Sequence, residues 1–164
     1  KIYFKFLIVI LVFSFDRVSK IYIFNLIDDG YDINFYINPF LNIYLVWNTG
    51  IGFGFLSSNS ELFYNIITTI IAIINLLILY LIFKINDVRK FFLLIIMGGS
   101  LGNLFDRIYY SAVADFIDFH IGNFHWFIFN IADIFISIGV FCLIIYEIFI
   151  NKKKKVVLSD NEKI

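Results

Sequence analysis

Four stretches of the chain are apolar almost throughout: Phe4 to Phe24, Leu62 to Phe83, Phe91 to Tyr110 and Phe127 to Ile150. Each approaches or exceeds the ~20 residues a helix needs to cross a hydrocarbon core. The first lacks a small-x-small cleavage site and carries Asp16, Arg17 and Lys20 in its second half, so it reads as a retained helix rather than a signal peptide. Between the first two stretches the pattern changes. Ile33, Phe35 and Ile37 alternate with Asn34, Tyr36 and Asn38, and apolar positions return at Leu41, Ile43, Leu45 and Trp47. Asn38-Pro39 separates the two runs and is a turn signal. Period-two alternation on either side of a turn predicts a small antiparallel sheet with one apolar face. Residues 111–126 are read as a second loop. The expected fold is an all-α membrane protein forming one domain over residues 1–164. It has four transmembrane helices, a sheet or cradle within the outer loop 25–61, the second outer loop 111–126, and a basic tail 151–164.

Composition agrees with lipid as the solvent. The chain is 61% hydrophobic and 16% charged, against about 25% charged in an ordinary soluble domain. That excludes a disordered chain, a nucleic-acid-binding tail and a soluble globule. Cys142 is the single cysteine, which excludes an internal disulfide and a cysteine metal cluster. The 22 Phe and 10 Tyr accompany abundant Ile, Asn and Lys, the set that AT-rich codons favour, so the aromatic count carries little functional weight.

Charge is distributed unevenly. Lys1, Lys5, Lys84, Arg89, Lys90, Lys152, Lys153, Lys154, Lys155 and Lys163 are ten of the 13 basic residues, and all fall on one side of the alternating spans. Residues 25–61 and 111–126 contain no Lys or Arg; they hold Asp28, Asp29, Asp32, Glu61, Asp115 and Asp118. The positive-inside rule then expects both termini in the cytoplasm and both long loops outside. The lysine run is read as a topology anchor in preference to a lipid-binding patch.

Asp16, Arg17, Lys20, Asp106, Arg107 and Asp133 lie inside the apolar stretches. Six unpaired charges would cost on the order of 15 kcal/mol on insertion scales, so such groups are expected to face the bundle interior and to do a job. At 1.5 Å per residue, Asp16 lies ~12 Å, Asn103 ~10 Å, Asp106 ~6 Å and Asp133 ~9 Å beneath the outer ends of their spans. That is one polar layer under the outer leaflet. Asp16 and Lys20 are spaced for an i,i+4 ion pair. Asn103, Asp106 and Arg107 share a helix face, and Asn130 and Asp133 lie on one stripe. Gly98, Gly99 and Gly102 suit close helix packing.

Two carboxylates within hydrogen-bonding reach cannot both ionise, so such a pair offers a general base and a general acid together. Asp133 with Asp115, Asp106 or Asp16 are the candidate dyads. Asp106 adjoins Arg107, and Asp16 lies four residues from Lys20, so Asp115 and Asp133 are the least neutralised pair. Gly98 to Gly102 matches the GxSxG nucleophile elbow literally but sits mid-helix, where it is a packing motif. His120 and His125 flank Asp118 as weak metal ligands; without an HExxH pattern they are read as interfacial residues beside Trp126. Gly50, Gly52 and Gly54 lack the lysine of a phosphate loop.

The residues also resemble a known family. Asp16-Arg17-Val18-Ser19-Lys20, Asn48-Thr49-Gly50-Ile51-Gly52-Phe53, Gly98-Gly99-Ser100-Leu101-Gly102-Asn103-Leu104-Phe105-Asp106-Arg107, Val113-Ala114-Asp115-Phe116-Ile117-Asp118-Phe119 and Phe129-Asn130-Ile131-Ala132-Asp133 are similar, in this order, to the five blocks of lipoprotein signal peptidase (signal peptidase II). The resemblance implies an aspartic endopeptidase of the bacterial inner membrane. It would cut diacylglyceryl-modified prolipoproteins just before the lipidated cysteine, with Asp115 and Asp133 catalytic. It further implies that Asn48, Gly50, Asn103, Arg107 and Asn130 line the substrate site, supported by Asp16, Lys20 and Asp106. No metal or cofactor is expected, and the partners are the lipid-modified substrate and membrane lipid, with the enzyme a monomer. Ile51-Gly52 and Phe127 depart from the family's usual small pair and proline. The competing readings are a small transporter or channel subunit using buried carboxylates, and a structural subunit binding partner helices.

Overall fold

Helix α1 spans Ile2–Asp28, uninterrupted because no glycine or proline occurs before Gly30. The computed structural model describes residues 2–50, 61–122 and 124–151. Ile51 and Gly52 of the second block, Gly54, and the tail lysines lie outside the described residues. Gly30 ends α1 at φ +85°. Its N–H donates to Ile27 O at 2.9 Å, and that of Tyr31 donates to Leu26 O at 3.0 Å, the paired bonds of a Schellman cap. The other helices are α2 (Glu61–Lys84), α3 (Arg89–Tyr110) and α4 (Ile131–Ile145), the last continuing as a wider π-helical turn over Tyr146–Asn151.

α3 is the central helix and packs against α1, α2 and α4. Its glycines make this possible. A Cβ on Gly102 would sit 2.5 Å from Asp16 Oδ2, and one on Gly99 would sit 2.6 Å from the backbone oxygen of Ala132, so only glycine admits the neighbouring helices this closely. The packing reading of this segment is the one observed. Val9, Ile82, Leu93, Leu94, Ile96 and Met97 form the core between the helices. α2 buries only Ile67, Asn75 and Ile82 and turns large apolar residues such as Ile70, Ile73 and Leu76 outward, as a helix in lipid does.

Among the described residues, three helices are long and apolar enough to cross a membrane: Glu61–Lys84, Arg89–Tyr110 and Ile131–Phe149. The expectation was four. α1 has the length, at 27 residues, but Asp16, Arg17 and Lys20 interrupt its apolar run.

The sheet is larger than expected. β1 (Asn34–Asn38) and β2 (Leu41–Asn48) form the anticipated hairpin about Pro39. Residues 111–126, read as a loop, instead supply β3 (Val113–Ile121), and β4 (Phe124–Phe129) follows it. The order is β1-β2-β3-β4, antiparallel throughout. The all-α description is corrected accordingly. β3 alternates less cleanly than β1 because most of it is buried, which blurs the period-two signal. The apolar face of the sheet, with Ile33 and Phe116, packs on Ile23 of α1. Phe24, Trp47 and Tyr110 cluster beside it, with ring centroids 5.3–5.6 Å apart.

α4 also begins later than the apolar run from Phe127 suggests. Phe127, Ile128 and Phe129 pair with Phe119, Asp118 and Ile117 in the sheet. Asn130 then starts the helix as its N-cap, completing a capping box with Asp133. Asp133 therefore sits in the first turn of α4, nearer the outer end than the expected ~9 Å.

Candidate active site

Asp16, Arg17, Lys20 and Asp106 form a buried quartet between α1 and α3. Arg17 Nη2 lies 2.9 Å from Asp16 Oδ2 and 2.6 Å from Asp106 Oδ1. Lys20 Nζ lies 3.0 Å from Asp16 Oδ1 and 2.6 Å from Asp106 Oδ2. Two acids and two bases cancel, and each carboxylate meets both cations, which is the arrangement that makes buried charge tolerable. The sequence neighbour Arg107 is not the partner of Asp106, contrary to expectation. Adjacent helical residues point ~100° apart, so Asp106 faces α1 while Arg107 turns away from it. There its guanidinium lies over the Tyr64 ring, 5.5 Å from the centroid, and Nη2 donates to Gly50 O.

The quartet is joined to a second polar group. Lys20 Nζ donates to Asn103 Oδ1 at 3.1 Å, and Asn103 Nδ2 donates to Asp133 Oδ1 at 2.8 Å. The backbone N–H of Ala132 donates to Asp16 Oδ1 at 3.2 Å, which locks the first turn of α4 to α1. Asn130 is the hub. Its backbone N–H donates to Asp133 Oδ2 at 3.3 Å, and its Nδ2 donates to Asp115 Oδ1 at 2.6 Å. Asn48, at the end of β2, donates from Nδ2 to Asp115 Oδ2 at 2.9 Å, and its Oδ1 accepts the Gly50 N–H at 2.8 Å.

Ser111, with φ 57°, ends α3 and turns the chain straight into β3, which carries Asp115 back over the helix ends. Asp115 and Asp133 thus arrive from a strand and from a helix N-terminus and line one cavity of about 290 Å³. Its polar rim includes Asn48, Asn103 and Arg107; Ile71, Ile74 and Ile136 form its apolar wall. Asp115 is 2% exposed. Burial pushes its carboxyl up to about 7, the nearby Asp133 charge adds to the rise, and the Asn48 and Asn130 hydrogen bonds oppose it. A carboxyl titrating near neutrality beside a second carboxyl can hold and pass a single proton.

The residues that the resemblance implies for the site come together in this assembly. Asp115, Asp133, Asn48, Asn103 and Arg107 line the cavity, with Asn130 and Gly50 hydrogen-bonded behind it. Asp16, Lys20 and Asp106 lie in the quartet. Sequence reasoning missed Ser100 and Ser137 in the cavity wall. It also missed Tyr64, whose hydroxyl donates to Arg107 O at 2.8 Å. The capping role of Asn130 was legible in its three-residue spacing from an acid ahead of an apolar run. Away from the cavity, Asp118, His120 and His125 converge, their ligand atoms within 4.8 Å of one another.

Comparison with known proteins places these residues in context. The family model for signal peptidase (SPase) II matches residues 8–149. A lipoprotein signal peptidase of Pelagibacter ubique (strain HTCC1062) is 48% identical over 152 residues, covering 93% of this chain and 92% of that one. The lipoprotein signal peptidase of Francisella tularensis subsp. novicida (strain U112) is 36% identical over 152 residues, covering 90% and 93%. A solved structure described as a bacterial membrane enzyme, determined in meso at 2.3 Å resolution, superposes with a TM-score of 0.69 at 33% identity, covering 92% of this chain and 90% of that one.

Proposed function

The chain belongs to the signal peptidase II family, and from that premise we propose that it is an aspartic endopeptidase that removes signal peptides from diacylglyceryl-modified prolipoproteins, cutting just before the lipidated cysteine. The observation that carries this reading is the shared cavity, with Asp115 and Asp133 both in its lining and Asn130 hydrogen-bonded to both.

Asp133, which accepts hydrogen bonds at both oxygens, acts as the base. It takes a proton from water as the oxygen attacks the scissile carbonyl. Asp115, whose carboxyl is pushed up to about 7, holds the shared proton and delivers it to the carbonyl oxygen. Collapse of the gem-diol breaks the C–N bond. The proton held by Asp133 passes to the leaving amine, and a gem-diol hydroxyl returns the other proton to Asp115. Arg107 Nη1 is buried without a hydrogen-bond partner among the described residues, which suits it to receive a peptide carbonyl. Asn48, Asn103 and Asn130 keep the carboxyls aimed into the cavity. Both quartet acids are held by two cations each, which weighs against their serving as an ion or proton relay.

α1 completes four spans in this reading, its charges neutralised within the bundle. The termini lie in the cytoplasm, and the sheet rests at the outer surface of the bacterial inner membrane, where the substrate's acyl chains stay in lipid. The test is cleavage of a synthetic diacylglyceryl-modified prolipoprotein peptide by purified protein. Asp115→Asn and Asp133→Asn should each lower kcat by about 10²- to 10⁴-fold while circular dichroism stays unchanged. Undiminished cleavage by the double variant would overturn the assignment.

A further inference from the structure

The β3–β4 hairpin carries both histidines of the chain, His120 and His125, opposite each other in register. Their rings stack with centroids 5.1 Å apart and planes 26° apart, and both turn Nδ1 toward one carboxylate. Asp118 Oδ2 lies 2.9 Å from His125 Nδ1 and 3.6 Å from His120 Nδ1. Asp118 is 3% exposed, and no Lys or Arg occurs in residues 25–61 or 111–126. Beyond the histidines, Asn42 Nδ2 approaches it at 3.5 Å. A buried carboxylate in such surroundings needs a positive charge beside it.

A hydrogen-bonded Asp118–His125 pair accounts for His125 alone. It leaves His120 unexplained: that side chain is 9% exposed, and its Nδ1 has no hydrogen-bond partner among the described residues. Two imidazolium rings in face-to-face contact would repel, so protonating both is not the answer. We infer that Asp118, His120 and His125 form a binding site for a divalent transition-metal ion of the zinc class. Tetrahedral zinc with N and O ligands at 2.0–2.2 Å holds neighbouring ligand atoms roughly 3.3 Å apart. The observed 2.9 Å and 3.6 Å straddle that separation, so small ring rotations complete the set. Two imidazoles and one carboxylate select zinc-type ions over calcium or magnesium, which prefer all-oxygen sites. The His125 side chain is 55% exposed and leaves an open side for entry and for a water ligand. The ion would pin β3 to β4, three residues along β3 from Asp115, outside the cavity and apart from the proton chemistry.

The test uses the untagged full chain in detergent micelles, stripped with a chelator and titrated calorimetrically with Zn²⁺. We expect one Zn²⁺ per chain, a rise in Tm on binding, and no displacement by Mg²⁺. His120→Ala and His125→Ala should each weaken binding by about tenfold or more, whereas Cys142→Ser, on α4, should leave it unchanged. Zinc X-ray absorption on the wild-type chain needs no variant to fold; it should show two imidazole nitrogens and carboxylate oxygen at about 2.0 Å. Absence of stoichiometric binding, binding indifferent to His120→Ala, or an all-oxygen shell would each overturn the inference. None of these readouts requires peptidase activity.

Discussion

At the scale of single residues, Asp115 gathers the most consequences. A carboxyl in the unfolded chain titrates near 4, and burial raises this one to about 7. Between those values the native chain binds more protons than the unfolded one. The stability contributed by protonated Asp115 is therefore fully present below about pH 4, is lost as pH rises toward about 7, and changes little beyond. Thermal unfolding followed against pH should show this decline, and Asp115→Asn should remove it. The kcat for peptide cleavage should fall as pH passes above about 7, because the proton shared by the dyad departs. A kcat still rising well above neutrality would take the acid role away from Asp115. Asn130 shows how much one side chain can hold: it caps α4, completes a box with Asp133 and binds Asp115.

At the scale of elements, the decisive contact is α3 against the first turn of α4. Gly99 lies where a Cβ would be 2.6 Å from Ala132 O. That oxygen is backbone and cannot rotate aside, so Gly99→Ala has to push α3 and α4 apart. Overpacking of this kind costs about 1–3 kcal/mol. Because Ala132 precedes Asp133, the same shift moves the carboxyl proposed as the base. Gly99→Ala should lower the unfolding free energy by that amount and reduce kcat further than the stability loss explains, as steady-state kinetics on the folded fraction would reveal. The sheet teaches a related lesson. The β1–β2 hairpin was readable because one of its faces is open and its turn contains proline. β3 was hidden because burial on both faces erases the alternation that marks a strand, and β4 because its apolar run continues straight into α4.

At the scale of the whole molecule, polar groups from α1, α3, α4 and the sheet join into one network, from Arg17 through Asp106, Lys20, Asn103 and Asp133 to Asn130, Asp115 and Asn48. The proposed orientation follows from the basic residues lying on the other side. It can be checked in a Cys142→Ser background by single-cysteine labelling. A membrane-impermeant maleimide should label Asp29→Cys in intact spheroplasts, but Lys5→Cys and Asn86→Cys only after lysis. Protection at residue 5 with labelling at 29 would establish that α1 crosses the bilayer; equal labelling at both would place it on one side.

The amino-acid sequence by itself determined that the chain lives in lipid, where its apolar stretches lie, and which few polar residues are too costly to be incidental. Those properties are local: hydropathy over ~20 residues and the expense of a buried charge do not depend on what lies across the fold. Only the tertiary structure decided the partners. It sent Asp106 to α1 and Arg107 to Gly50, since rotation about a helix axis separates neighbours in sequence. It started α4 at Ile131 because sheet pairing claimed the residues before it. It also brought His120 and His125, which the sequence offered only as weak metal ligands, together at Asp118, because strand register decides which residues face each other.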